Sequence, residues 1–193
     1  MFTDWDLGED YLCVKLLGKG AYGTVCLAKH IPSGMQVAVK KMTDVFRNRV
    51  HAKRILREIT LLRNLQNQSI IKILDVLEPI STKTTFSIVY VVMELADSDL
   101  KKLVENEVYL KMPQIKQVIY NLLCAVKYMH SSNVIHRDLK PANLLINKDC
   151  SVKICDFGLA RSITGVESTA STLLMTPRRG DEDHWEDDDT DAS

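Results

Sequence analysis

Two periods of apolar spacing succeed one another along this chain. Over the first third the pattern is that of strands. Tyr11–Leu17 and Thr24–His30 flank a glycine-rich turn, and Ile31-Pro-Ser-Gly34 punctuates the way to a third strand over Gln36–Lys41. From His51 to Leu65 the spacing becomes helical, with Ala52, Ile55, Ile59 and Leu62 on one stripe and Lys53, Arg54, Arg57 and Arg63 between them. Strand-like runs return at Ile70–Leu77 and Phe86–Met93, joined by the turn-rich Glu78–Thr85. After Met93 the texture is helical again. Pro113 suits a first helical turn, and Ile115, Val118, Ile119, Leu122, Leu123, Val126 and Met129 recur at helical spacing as one long apolar face. Short strands are expected at Leu144–Asn147 and Val152–Cys155, around a turn at Lys148-Asp149. Beyond Ser162 the pattern dissolves into Ser, Thr and Gly and then acid, and no regular structure is expected there. No internal repeat is visible.

Composition narrows the class. With 193 residues, 46% hydrophobic and 26% charged, the chain is expected to hold one domain, or one and a fragment, and is neither fibrous nor disordered over most of its length. The apolar run Ile88–Met93 is far too short to span a membrane, and the acidic start MFTDWDLGED lacks the layout of a secretory signal. Five cysteines without metal-like or framework spacing point to reduced thiols in an intracellular compartment. The net charge of zero hides a split. All 25 basic residues lie at or before Arg179, against 17 acids in the same stretch, which leaves a body of +8. The other eight acids lie in Asp181–Asp191. A basic body favours phosphate-bearing or acidic partners, although a solvated surface has the same composition.

Five short motifs carry the candidate chemistry. Gly18-Lys19-Gly20-Ala21-Tyr22-Gly23 lies between two strands, where glycines let backbone amides approach phosphate oxygens and an aromatic can cap the tip. A flexible hairpin would look the same, and because no helix follows, a dinucleotide fold is disfavoured. In Val37-Ala38-Val39-Lys40 strand alternation puts Ala38 and Lys40 on one face, where a flat base and a phosphate could be met; Lys41 offers the plain surface lysine. Glu58, on the first helix, is placed to pair with Lys40, or is one more helix-surface glutamate. His136-Arg137-Asp138-Leu139-Lys140-Pro141-Ala142-Asn143 sets an acid, a lysine at +2 and an amide at +5 in one tight segment: a proton acceptor, a phosphate contact and a metal ligand. Asp156-Phe157-Gly158 follows a buried-looking strand and supplies an oxygen ligand suited to Mg²⁺, a phenyl group to pack inward and a hinge.

In this order and these contexts, the five motifs resemble the signature set of the eukaryotic protein kinases, from about Tyr11 to Arg161. Within that family the chain is most similar to the mitogen-activated protein kinase group. AKRILREITLLRNL resembles that group's N-lobe helix, YVVMELADSDLKKLV its hinge, and KYMHSSNVIHRDLKPANLLIN with KICDFGLAR its catalytic segments. The cyclin-dependent kinases are the nearest rival, and their characteristic helix motif is missing.

The resemblance implies an α+β, two-lobed, kinase-like fold. Residues 1–96 would form a complete N-lobe of antiparallel sheet plus one helix, with the hinge, and residues 97–162 the first part of a mainly helical C-lobe. Residues 163–193 would be a disordered Ser/Thr-rich and then acidic tail. It implies transfer of the γ-phosphoryl of Mg·ATP to a protein Ser or Thr hydroxyl in intracellular signalling. The implied partners are ATP, protein substrates and an upstream MAP kinase kinase, with no nucleic acid and no membrane. The implied compartment is the cytoplasm, with the nucleus as a second. Gly18, Lys19, Gly20, Ala21, Tyr22 and Gly23 would cover the phosphates, while Leu17, Val25, Ala38 and Leu145 would sandwich adenine. Met93 would be the gatekeeper, the backbone of Glu94 and Ala96 would bond the base, and Asp99 would face the ribose. Lys40, paired with Glu58, would hold the α- and β-phosphates; Asp138 would accept the substrate proton, Lys140 would contact the γ-phosphate, and Asn143 and Asp156 would bind Mg²⁺.

The resemblance stops inside the activation segment. After Ser162 the family's Thr-x-Tyr and Ala-Pro-Glu motifs and later helices are not found, and the chain reads ITGVESTASTLLMTPRRGDEDHWEDDDTDAS. An insertion cut short, an alternative splice and a faulty gene model would read alike. In the family a later helix covers the long one, so Ile115, Ile119, Leu122 and Val126 are expected to lose cover. At roughly 1.5–3 kcal/mol per buried apolar side chain, several kcal/mol are at stake. Arg137, which in relatives meets a phosphorylated loop residue, faces only Ser168, Thr169, Ser171, Thr172 and Thr176-Pro177. The acidic tail is a solvated end or an autoinhibitory segment lying on the basic body. The alternative function is a nucleotide-binding or partner-sequestering fragment without catalysis.

Overall fold

The computed structural model describes residues 4–20, 23–78 and 87–163. Ala21 and Tyr22, most of the turn expected at Glu78–Thr85, and the Ser/Thr-rich and acidic residues beyond 163 lie outside the described residues.

The strand-patterned segments of the first half, interrupted by one helix, fold into a five-stranded antiparallel sheet. Its strands are β1 (Tyr11–Gly20), β2 (Gly23–His30), β3 (Gln36–Met42), β4 (Ile73–Leu77) and β5 (Val89–Glu94), in the order β1-β2-β3-β5-β4. Alternation sorts the side chains onto two faces. Val37 and Val39 of β3, Tyr90 and Val92 of β5, and Cys26 and Ala28 of β2 form one core, closed by Leu7 and Trp5 of the N-terminal segment. Met42, Val91 and Met93 point the other way, into the core shared with the helix α1 (Arg49–Asn64) and the second half of the chain. Asn48 caps α1, its side chain accepting from His51 N at 2.7 Å. The helix buries Ile55, Glu58 and Leu62.

The second half is built on two helices, α2 (Leu100–Glu105) and α3 (Met112–Ser131), with short strands between and after them: β6 (Ser98–Asp99), β7 (Val134–Ile135), β8 (Leu144–Ile146), β9 (Val152–Ile154) and β10 (Arg161–Ser162). They form a three-stranded sheet, β6-β8-β9, and the pair β10-β7, and a 3-10 turn over Pro141–Asn143 leads into β8. This is the α+β architecture expected from the sequence.

β1 runs on to Gly20, past the strand end expected at Leu17, and two larger differences bear on the packing. The apolar run starting at Ile70 is not all strand. Ile70 and Ile71 are each 1% exposed, and they stitch the halves together instead. Ile71 N donates to Ile154 O at 3.0 Å, and Ile154 N to Ser69 O at 2.9 Å. On α3 the predicted apolar face is wider than the face that is covered among the described residues. Val118, Ala125 and Met129 are buried and Leu122 and Val126 pack against the core, while Ile115, Ile119 and Leu123 stand 41%, 49% and 61% exposed. Periodicity identified the helix, but one flank of its apolar surface meets no described neighbour.

Candidate functional site

Lys40 and Glu58 meet between the sheet and α1. Lys40 Nζ lies 2.7 and 2.9 Å from the two carboxylate oxygens, with the side chains only 12% and 6% exposed. Alternation on β3 turns Lys40 inward, and the α1 stripe Ile55–Leu62 carries Glu58 toward it. Burial works against the ammonium, but Glu58 and then Asp156 outweigh it, and the Lys40 pKa is raised. Burial raises Glu58 as well, with Lys40 opposing. The two-oxygen contact identifies an ion pair, because a protonated carboxyl would offer the ammonium only one good acceptor. Lys41, the alternative at the next position, points to the opposite face. It is 7% exposed, bonds to Asp4 and lies over the Trp5 ring at 5.6 Å.

The segment after α3 gathers its polar groups around Asp138. Lys140 Nζ donates to Asp138 Oδ2 at 2.7 Å, and Asn143 Nδ2 donates to Asp138 O at 2.8 Å and Oδ2 at 2.9 Å. Burial is the largest single influence on Asp138 and pushes its pKa up, but the bonds from Lys140 and Asn143 together with the Lys140 charge hold it below the ordinary value. His136, 1% exposed, supports this loop from beneath. Its Nε2 faces Cys155 O at 3.0 Å, an acceptor, so that nitrogen carries the hydrogen, and Nδ1 accepts from Asp138 N at 3.3 Å. The Phe157 ring packs edge-on to the imidazole at 4.8 Å and is fully buried. Asn143 O accepts from Cys155 N at 3.0 Å, tying the loop to the segment that leads into Asp156. Asp156 has φ +64, and its carboxylate makes no hydrogen bond among the described residues.

The glycines differ in why they are glycines. A Cβ on Gly23, at φ +150, would stand 2.2 Å from Lys41 O, so the β2–β3 contact itself excludes any side chain. A Cβ on Gly18 would meet nothing within 4 Å, and one on Gly20 only Gly23 O at 3.9 Å. Among the described residues no contact requires a glycine at either position. Lys19 is exposed beside them, and Ala21 and Tyr22 lie outside the described residues.

The predicted base-binding residues collect at the junction of the halves. Ala38 and Met93 are register partners across β3 and β5. Val25 pairs with Lys40, and Leu145 with Asp99. Glu94 N donates to Lys72 O at 3.1 Å. Its carboxylate turns away to Lys72 N at 2.8 Å and Lys153 Nζ at 3.0 Å. Only its carbonyl is therefore left for a base. It lines a cavity of about 420 Å³ behind β4, which holds neither Lys40 nor Asp138. Half-buried Ala96 follows it. Asp99 caps α2, accepting from Lys102 N at 2.8 Å, and pairs with Lys102 Nζ at 3.4 Å.

Three contributors were not legible in the motifs. Lys102 Nζ donates to Leu17 O at 3.0 Å, linking β1 to α2 across the junction. His136 positions the Asp138 backbone, although its burial cannot be read from the octapeptide that it begins. Arg57 Nη1 donates to Gly158 O at 2.8 Å, a contact 101 residues apart in the chain. The helical stripe put Arg57 off the apolar face, but nothing in the sequence said what it would meet.

The protein kinase domain family model matches residues 11–178 of this chain. Mitogen-activated protein kinase 7 of Arabidopsis thaliana is 41% identical over 174 residues, covering 90% of this chain and 47% of the relative. Mitogen-activated protein kinase 1 of Oryza sativa subsp. japonica is 47% identical over 160 residues, covering 83% of this chain and 38% of the relative. Mitogen-activated protein kinase homolog 1 of Petunia hybrida is 41% identical over 172 residues, covering 89% and 44%. The chain thus spans less than half the length of these curated relatives.

Proposed function

This chain belongs to the protein kinase family, and on that premise we propose that it provides the nucleotide-binding and catalytic-loop part of a serine/threonine kinase of the mitogen-activated type. The reaction is transfer of the γ-phosphoryl of ATP to a protein hydroxyl. The observation that carries this reading is the buried Lys40–Glu58 ion pair, at 2.7 and 2.9 Å, whose ammonium also feels Asp156. A lysine held charged and nearly immobile at the edge of a cleft is suited to fixing a polyphosphate. The 41–47% identity to mitogen-activated kinases supports the group.

The chain's own residues divide the work. Gly18 and Gly20, with open space where side chains would stand, leave backbone amides accessible to phosphate oxygens. Lys40 holds the phosphates from the sheet side and Lys140 from the loop side. Asp138, acidic because Lys140 and Asn143 stabilise its charge, orients the substrate hydroxyl and takes its proton late in transfer. Asn143 and Asp156 offer hard oxygen donors, and the unbonded Asp156 carboxylate fits Mg²⁺. That ion would neutralise phosphate charge when bound. Protein substrates, and an upstream kinase acting on the Ser/Thr-rich stretch beyond 163, are the proposed partners.

The test is a pair of measurements on the full chain and on Asp138→Asn. Mg·ATP is expected to raise the melting temperature of both. Transfer to a Ser/Thr protein substrate should fall by about 10²–10⁴ in the variant alone. Equal transfer by the variant, or a melt indifferent to nucleotide, would overturn the proposal.

A further inference from the structure

Two of the five cysteines come together across the first two strands. Cys13 lies on β1 and Cys26 on β2, and both face the core that Trp5 and Leu7 close. Cys13 stands opposite Ala28 and Leu16 opposite Cys26, so the two cysteines are diagonal neighbours on one face of the sheet. Diagonal neighbours on antiparallel strands are about 7–8 Å apart, at the outer limit of what a disulfide bridges. Here the register shifts between Cys13 and Lys15, leaving Val14 as an extra residue in β1, and such a bulge bends a strand and strengthens its twist. The two thiols act on each other directly. Burial raises the pKa of both; a hydrogen bond from Cys26 opposes it at Cys13, and the same contact raises Cys26 further. Cys13 is half-buried and Cys26 fully buried, and both are free thiols. Cys124 on α3, Cys150 between β8 and β9, and Cys155 after β9 all lie in the second half of the chain.

We propose that Cys13 and Cys26 form a redox pair that a hydroperoxide closes to a disulfide across β1 and β2. The Cys13 sulfur, the one open to solvent, attacks a peroxide oxygen. The O–O bond breaks, Cys13 becomes a sulfenic acid, and the departing oxygen leaves as water with the thiol proton. The Cys26 sulfur then attacks the Cys13 sulfur. The S–O bond breaks as the S–S bond forms, and a second water leaves with the Cys26 proton. Together the two sulfurs give up two electrons, and the peroxide takes them up. Burial makes the first step slow, because the thiolate is the nucleophile. The second step is intramolecular, between sulfurs already in contact.

The new bond closes the stretch Val14–Val25, which contains the whole Gly18–Gly23 turn. Reduced, the two strands are joined there by a ladder whose register shifts at Cys13/Lys15 and again at Leu16/Gly18. Oxidised, they are pinned covalently at the base of the glycine-rich turn. Neither cysteine belongs to the proposed nucleotide machinery, so the pair closes whether or not the chain transfers phosphate.

Disulfide mapping on the full chain tests this. The reduced protein, at micromolar concentration, is treated with hydrogen peroxide, capped with N-ethylmaleimide in acidic denaturant, digested without reductant and read by mass spectrometry. The expected product is a linked peptide joining Cys13 to Cys26, two hydrogens lighter than its reduced parts and lost on adding dithiothreitol. It should be at least about tenfold more abundant than any linked pair that includes Cys124, Cys150 or Cys155. Cys26→Ser removes the attacking sulfur, so the linked peptide should vanish and the Cys13 sulfenic acid should last long enough to be trapped by a cyclic 1,3-dione. Unchanged far-ultraviolet circular dichroism checks the fold of that variant, and the native chain alone decides the outcome if it does not fold. Cys13 and Cys26 both still capped by maleimide once exposed Cys124 is fully oxidised would overturn the proposal. So would a Cys13 sulfenic acid that persists in the native chain, or a Cys13 link chiefly to another cysteine.

Discussion

Breaking the Lys40–Glu58 pair from its two ends should give two different results. Glu58→Gln leaves the ammonium with both of its close contacts weakened and only 12% of the side chain in solvent. Removing one partner of a pair this buried costs about 3–5 kcal/mol, a large share of the roughly 5–15 kcal/mol that stabilises a whole domain. For a chain of this size, at about 2–4 °C per kcal/mol, the melting temperature should fall by roughly 6–20 °C. Lys40→Met is different because the orphaned group can neutralise itself. Burial and Asp156 already raise the Glu58 pKa above its ordinary 4.5, and Lys40→Met removes the charge and the hydrogen bond that oppose them. The folded variant therefore binds a proton that the unfolded chain has released. Its penalty should be full above the folded pKa and fade as the pH falls toward 4.5. The double variant Lys40→Met/Glu58→Leu should recover most of the loss, since apolar groups of similar size replace both charges. Urea unfolding of these proteins together with Glu58→Leu, which closes the cycle with Lys40→Met, at acid and mildly alkaline pH gives the coupling energy. Single costs below about 1 kcal/mol that add in the double variant would refute the argument, for they would mean that water screens the pair as it does on a surface.

Three further outcomes follow from the site. His136 is kept neutral by burial, its pKa lowered from 6.5; the unfolded chain takes up the proton first, so stability should decline as pH falls through 6.5 toward the folded value, and a His136→Gln variant should lose that dependence in thermal melts. Gly23→Ala, with its Cβ at 2.2 Å from Lys41 O, should cost about 1–3 kcal/mol in urea unfolding. Gly18→Ala, facing open space, should stay within about 0.5 kcal/mol, and equal losses at the two sites would contradict the geometry. Burial pushes the Cys155 thiol up to about 12. Iodoacetamide at neutral pH should therefore label exposed Cys124 well before it labels Cys155, and the opposite order would show that the segment before Asp156 opens readily.

The catalytic-loop and Asp156 motifs were legible because each is short and carries its functional groups within a few residues. Pro141 and the 3-10 turn it starts fold the chain back, so that the Asn143 amide reaches Asp138. The Lys40–Glu58 contact was legible only as a possibility, since each residue alone has a common surface equivalent. Lys41 shows why: its side chain is even less exposed than that of Lys40, 9% against 12%, but strand alternation puts it on the far face with Trp5. Where the expectation was too wide, on α3, the cause was also physical. Apolar periodicity records which faces tolerate burial, while actual burial needs an opposing surface, and Ile119 and Leu123 have none among the described residues.

The order and type of the longer elements and the chemistry each motif can offer followed from the sequence by itself, because periodicity and local turn chemistry act over a few residues; the two-residue strands β6, β7 and β10 carry no such period and did not. Tertiary structure alone decided which groups meet. It brought Arg57 to Gly158 and Lys102 to Leu17, gave His136 its tautomer, and turned the Glu94 carboxylate to Lys153 and away from the site. Those partners lie tens of residues apart, and hydrogen bonds and charge pairs depend on distances of an ångström or less, which no one-dimensional pattern contains.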